Sequence, residues 1–166
     1  MSHDAWIPAY VGLGSNLDGP EHQVLLGLDR LRELPGSLLV SRSSLYVSAP
    51  MGPVAQPDFV NAVVGLLTRL SPLEMLVELK SLETGLGREP ARERWGPRRI
   101  DFDLLVHGTS QLRQDGLELP HPGIAERAFV LVPLAEIAPE LEVPGLGRVW
   151  TLLEKLDASD VVRTHG

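Results

Sequence analysis

The chain has 166 residues, 43% of them hydrophobic, no cysteine and a net charge of −7. That length supports one core and a single domain, and the missing thiols exclude disulfides, zinc–thiolate sites and cysteine nucleophiles. The acidic balance argues against a surface that tracks a long nucleic acid, where phosphate neutralisation by Lys and Arg dominates binding. No run approaches the roughly 20 apolar residues of a membrane span, and Met1-Ser2-His3-Asp4 does not open a basic-then-apolar leader; a soluble, cytoplasmic protein is expected.

Taken in chain order, residues 9–16 read as a short buried strand running into a Gly-rich turn. Pro20 suits the first turn of a helix, with Asp18 and Glu21 near its positive end. Val24, Leu25, Leu28, Leu31 and Leu34 then recur at helical spacing until Pro35-Gly36. Residues 38–47 read as one strand ending at Ser48-Ala49-Pro50. Residues 51–58 are too rich in Pro and Gly for regular structure and long for a hairpin connection, the kind of loop that carries function. Residues 59–70 form a second apolar strand that can pair with the preceding one across this loop. Ser71-Pro72-Leu73-Glu74 is a capping box, and Leu73, Leu76, Leu79 and Leu82 keep one helical face apolar as far as Gly85 and Gly87. This helix delivers Glu83 and Arg88 to an Arg-rich loop. A strand over 100–106, a turn at His107-Gly108 and an extended piece over 117–119 lead to Pro120-His121-Pro122. Helices over 129–137 and near 152–156 close a core of about residues 7–157, with a loose tail over 158–166. The order strand, helix, strand, strand, helix, strand predicts a ferredoxin-like α+β fold, a split βαβ core whose antiparallel sheet is flanked by helices.

The densest chemistry lies in Arg94-Trp95-Gly96-Pro97-Arg98-Arg99-Ile100-Asp101-Phe102-Asp103. With Arg88 and Arg92 this stretch makes a local cationic pocket in an acidic protein, suited to a small polyanion. Arginine also offers bidentate contacts to phosphate that lysine cannot make. Asp101 and Asp103 lie two apart on a strand, so their side chains share a face, roughly 6.5 to 7 Å apart along the chain. They can share one Mg²⁺ or bridge a pair held with phosphate oxygens. The plainer alternative is a solvated strand face opposite Ile100, Phe102 and Leu104; the arginines immediately upstream favour the metal. Trp95 either anchors its loop or stacks on a base. His121, held between two prolines, either satisfies the structure or meets a phosphate. The Asn61 amide either serves the sheet or reads the donor–acceptor edge of a heterocycle. Glu83 is disfavoured at a helix C-terminus, which hints at a task there. Gly12-Leu13-Gly14-Ser15-Asn16 lacks the third glycine of a dinucleotide fingerprint and no Walker-type motif occurs, so Rossmann and P-loop readings fail.

These motifs, together with Gln56-Pro57-Asp58-Phe59-x-Asn61, Pro120-His121-Pro122, Arg127-x-Phe129 and Pro133-Leu134-x-Glu136-Ile137-Ala138-Pro139, resemble the 6-hydroxymethyl-7,8-dihydropterin pyrophosphokinases of folate biosynthesis, in order and over nearly the whole chain. The resemblance implies transfer of the terminal pyrophosphoryl unit of ATP to the pterin hydroxymethyl group, with release of AMP. It implies that Asp101 and Asp103 bind two Mg²⁺ ions and, with Arg88 and Arg98, form the catalytic set. Glu83, Arg88, Trp95, Arg98, Leu104 and His121 would meet ATP, and Arg92 would replace a loop arginine displaced by Pro90. Ser48, Ala49, Met51, Phe59, Asn61 and Phe129 would hold the pterin. Loops near 12–18, 48–58 and 86–99 would close over both substrates and exclude water. The chain departs from the common pattern at Phe59, where Tyr is frequent, at Ser48, where Thr is, and at Pro122, where an aromatic often follows the His. The expected partners are the two small molecules, with no nucleic acid, no membrane and no second subunit. The rival reading is a small RNA-binding module on a ferredoxin-like sheet; the acidic balance and the low count of three Phe, three Trp and two Tyr weigh against it.

Overall fold

The computed structural model of the chain describes residues 5–17, 19–50, 52–53, 55–86, 100–114 and 116–164. β1 (Ile7–Ser15) leads into α1 (Pro20–Leu31), then β2 (Ser37–Arg42), β3 (Tyr46–Ser48), β4 (Phe59–Thr68), α2 (Pro72–Gly85) and β5 (Asp101–His107). A hairpin of β6 (Leu112–Gln114) and β7 (Leu117–Leu119) follows, then a 3-10 turn (Ile124–Glu126) and α3 (Ala128–Ile137). The chain ends with β8 (Glu142–Val143), β9 (Gly147–Arg148), α4 (Val149–Glu154) and β10 (Val162–Arg163). The main sheet runs β10-β3-β4-β1-β5, with β2 also on β4, and every pairing is antiparallel. This is the expected ferredoxin-like split βαβ core.

Alternation along β1 sorts the two layers. Ala9, Val11 and Leu13 face α1 and α2, where Val24, Leu28, Leu31, Met75 and Leu79 close one core with Phe102 and Leu104. The opposite face packs Val63, Leu105 and Val106 against Ile124, Val130, Leu131, Leu134, Val149 and Leu152. One irregularity in β5 makes this division work. The register passes from Tyr10↔Val106 to Val11↔Leu104, so Leu105 is an extra, bulged residue and joins the same core as its neighbour Val106. His107 then closes β5, buried, with Nε2 2.8 Å from the Leu70 carbonyl. The expected turn begins one residue later, at Gly108 with φ 56°.

The helix starts follow local chemistry: the Ser71 hydroxyl accepts from the Glu74 N–H at 3.2 Å and the Glu74 carboxylate from the Ser71 N–H at 2.9 Å. Three expectations need correction. The strand expected over 38–47 is two strands, because the Ser43 hydroxyl takes over the ladder, accepting from the Val63 N–H at 2.9 Å, and the chain bends before β3. The tail expected to be loose from residue 158 instead carries β10, whose Val162 and Arg163 pair with Val47 and Tyr46 while the Thr164 N–H donates to Leu45 at 2.9 Å. A two-residue strand has no periodicity to read; the open edge of β3 supplies its partners. The last helix begins at Val149, fully buried, ahead of the expected start near 152. Among the described residues no helix is long and apolar enough to cross a membrane.

Candidate active site

Strand register assembles the site. Gly14 on β1 lies between Asp101 on β5 and Asn61 on β4, and Gly12 lies between Asp103 and Val63. The two glycines thus form a side-chain-free floor between the carboxylates and the amide. A Cβ on Gly14 would lie 3.2 Å from Asn61 Oδ1 and 3.8 Å from the Phe59 ring, so the opening depends on glycine there. Above the floor lies a cavity of about 680 Å³, bordered by Ser48, Ala49, Phe59, Asn61, Arg127 and Phe129 on the β4 and α3 side. The cavity continues round β5, the outermost strand, to Leu76, Lys80 and Glu83 on α2 and to the β6–β7 hairpin.

Each expected residue on a described element has a defined place. Asp101 and Asp103 both border the cavity, and the Asp103 side chain is about half exposed, at 51%. Phe102 and Leu104, between and beyond them, are buried in the α1–α2 core, so both faces of the strand are used. Leu104 still reaches the cavity wall. Asn61 and Ser48 are both buried, with Asn61 Nδ2 donating to Ser48 Oγ at 2.7 Å. One amide hydrogen thus serves the sheet, which is the first of the two readings of Asn61, and the residue also borders the cavity floor. Glu83 is buried, and its Oε2 accepts the Phe102 N–H at 2.7 Å. The task hinted at by its position against the helix dipole includes this tether of α2 to the backbone between the two aspartates. His121 is fixed by its N–H, which donates to the Leu105 carbonyl at 2.9 Å. Its Nε2 sits 3.9 Å from Asp103 Oδ1, while Nδ1 is buried without a partner among the described residues. The residue as a whole borders the cavity.

Met51, Arg88, Arg92, Trp95 and Arg98 lie outside the described residues. Sequence reasoning missed Leu76, Lys80, Arg113 and Gln114 in the cavity wall and gave Arg127 no role. Arg127 stands 5.9 Å from the centroid of the Phe129 ring. A signal for Lys80 existed: it is one of two lysines in the chain and falls four residues after Leu76 and three before Glu83, hence on the same helical face.

The segment after β1 and the loop between β3 and β4 are joined. Asn16 Nδ2 donates to Gln56 Oε1 at 2.8 Å and to the Pro57 carbonyl at 3.0 Å, which ties the end of β1 to the Pro-rich segment carrying Phe59. Asn16→Ala is therefore expected to raise the KM of the substrate seated against Phe59 and Asn61 severalfold, about 3- to 10-fold on the scale of lost positioning, with the other KM unchanged. Steady-state kinetics with each substrate varied in turn check this.

Among the described residues no cluster of three or more His, Asp, Glu or Cys could enclose a metal. That donor set still suits Mg²⁺, which keeps water and substrate phosphates and takes only one or two carboxylates from a protein.

A ferredoxin-like protein with paired carboxylates on its outer strand, facing a fixed amide across a glycine floor, has the build of a transferase for small phosphorylated substrates. Comparison with known proteins names the family: residues 10–139 match the family model of 7,8-dihydro-6-hydroxymethylpterin-pyrophosphokinase (HPPK), and the chain belongs to that family, whose members are ATP-dependent diphosphotransferases of folate biosynthesis. The 2-amino-4-hydroxy-6-hydroxymethyldihydropteridine pyrophosphokinase of Pseudomonas aeruginosa is 47% identical over 158 residues, 95% of this chain and 96% of its own length. The Haemophilus influenzae enzyme of the same name is 45% identical over 159 residues, 96% of this chain and 99% of its own. Among solved structures, wild-type HPPK-DHPS of Plasmodium falciparum superposes with a TM-score of 0.70 at 16% identity, over 90% of this chain. The chain spans 44% of that longer protein, and at this identity the likeness speaks for the fold alone.

Proposed function

We propose that the chain transfers the terminal pyrophosphoryl group of ATP to the hydroxymethyl group of 6-hydroxymethyl-7,8-dihydropterin, with the two substrates meeting over the glycine floor. The observation that carries this division is the register Asp101–Gly14–Asn61. It puts the carboxylates two strand spacings, roughly 10 Å, from the amide. A pterin with its polar edge on Asn61 and its ring between Phe59 and Phe129 then extends its hydroxymethyl end toward Asp101. Ser48 fixes the amide, Ala49 completes this wall, and Met51 would be a further contact to the pterin. ATP would lie around β5, against Leu104, Glu83 and Lys80, with His121, Arg88 and Arg98 as its phosphate contacts and Trp95 and Arg92 as further ATP contacts.

In the transfer, the hydroxymethyl oxygen forms a bond to the β-phosphorus of ATP. The bond from that phosphorus to the α,β-bridging oxygen breaks, AMP leaves, and the hydroxyl proton passes to solvent. Such a step asks the protein for alignment and charge neutralisation more than for a strong base. Asp101 and Asp103 would hold two Mg²⁺ ions, which when bound supply positive charge to the triphosphate. The arginines would orient the phosphates, and closure of the loops on binding would keep out water that would otherwise hydrolyse ATP. The use of ATP supports action in the cytoplasm. Incubation with ATP, Mg²⁺ and the hydroxymethyldihydropterin tests the reading: AMP and the pterin diphosphate should form in equal amounts. Formation of ADP, or no turnover, overturns it.

A further inference from the structure

The two walls of the pterin end are joined, away from the cavity, by one carboxylate. Glu136 on the last turn of α3 accepts three hydrogen bonds and faces one guanidinium. Its Oε1 takes the Ser44 N–H at 2.9 Å and the Tyr46 hydroxyl at 2.7 Å. Its Oε2 takes the Ser44 hydroxyl at 2.9 Å and faces Arg163 Nη2 of β10 at 3.3 Å. Each of these groups is a short, stiff path from a residue that lines the cavity. Glu136 is seven residues, two helical turns, from Phe129, so both lie on the same side of α3. Tyr46 pairs with Asn61 across β3 and β4, and two residues on along the same strand face, Ser48 holds the Asn61 amide.

β3 is only three residues long. Its ladder alone specifies its position weakly, and the carboxylate adds a fixed spacing between strand and helix. Burial works to raise the Glu136 carboxyl, but hydrogen bonds from Tyr46 and Ser44 and the Arg163 charge outweigh it and hold the group below its ordinary value. The carboxylate is thus charged at neutral pH; its contribution is present above the ordinary carboxylate pKa and is lost as pH falls through the lowered one. Burial keeps the Tyr46 hydroxyl protonated as a donor, its pKa raised.

We infer that Glu136 is a positioning residue for the pterin subsite: by clamping Ser44 and Tyr46 to α3 it sets the gap between Phe129 and the Ser48–Asn61 pair. This rests on the reading that the pterin occupies that gap. ATP, seated on α2 and β5, is outside the clamp. Three hydrogen-bond donors and a guanidinium converge on Glu136, and glutamine can meet them with one acceptor oxygen only, placing its NH₂ against the Ser44 hydroxyl or Arg163.

The test uses the full chain with Glu136→Gln and Tyr46→Phe, the second keeping the ring and removing one hydrogen bond, so that a folded variant is in hand. KM for pterin and for ATP are measured separately, with thermal melts. Pterin KM is expected to rise about tenfold for Glu136→Gln and about threefold for Tyr46→Phe, with ATP KM within about twofold of the parent, the pattern of a misplaced wall on one side of the site. Val24→Ala, on α1 beneath the opposite face of the sheet, is expected to lower Tm without moving pterin KM. Unchanged pterin KM in both clamp variants overturns the inference, as does an equal rise in both KM values, or the same pterin shift in Val24→Ala. Phe129→Ala separates the two levels. If it leaves pterin KM unchanged, the placement of the pterin fails; if it raises pterin KM while the clamp variants do not, the positioning role alone fails.

Discussion

Replacing Asp101 or Asp103 by asparagine is expected to lower kcat by at least about 10³-fold, which corresponds to about 4 kcal/mol of transition-state stabilisation. The size follows from the role proposed for the two carboxylates. Phosphate oxygens carry the charge of the transferring group, and the cations that neutralise it need anionic anchors of fixed geometry. Their direction is set by β5, whose Phe102 and Leu104 are locked in the core on the opposite side. The fold should survive the change. Asparagine is nearly isosteric, Asp103 is half exposed, and its ion contact with His121 at 3.9 Å is too long and too solvated to matter for stability. Single-turnover rates as a function of Mg²⁺, with thermal melts beside them, make the comparison. Either variant retaining more than a tenth of the parent rate would remove the aspartates from the metal-binding role.

Residues on regular elements could be placed from sequence because side-chain direction follows from period. Asp101 and Asp103 share a face by the two-residue repeat of a strand, and Ser71 and Glu74 announce α2 by capping. What escaped was decided by partners far away in the chain. The break between β2 and β3 depends on the Ser43 hydroxyl meeting Val63, twenty residues later, and nothing local distinguishes Ser43 from its neighbour Ser44. The bulge at Leu105 depends on where β1 ends its pairing, and it decides that Leu105 and Val106 fill one core together. β10 exists because β3 has a free edge and Glu136 a place for Arg163. Glu83 was legible as an anomaly, but the backbone group that resolves it, the Phe102 N–H, could be named only once α2 lay beside β5.

Gly14→Val carries the second large effect, and it tests the floor directly. Gly14 lies next to the end of β1, still paired on both sides and outside the positive-φ glycines, so a β-branched residue suits its backbone. Stability is therefore expected to hold, while the site is filled. The Cβ alone would press on Asn61 Oδ1 at 3.2 Å, and the two valine methyls would stand in the gap between Asn61 and Asp101. Pterin affinity should fall by at least about 100-fold, about 3 kcal/mol, because the ring can neither keep its polar edge on the amide nor extend its hydroxymethyl group to the carboxylates. Gly12→Val provides the internal comparison: the atoms nearest its Cβ belong to the Leu105 side chain, at 3.5 Å, an ordinary contact. A smaller loss is expected there, borne by the reaction rate more than by pterin binding. Equilibrium titration of pterin into each variant, with a non-hydrolysable ATP analogue bound, reads the difference. If Gly14→Val binds pterin as the parent does, the heterocycle does not lie on this floor, and Asn61 serves the sheet alone.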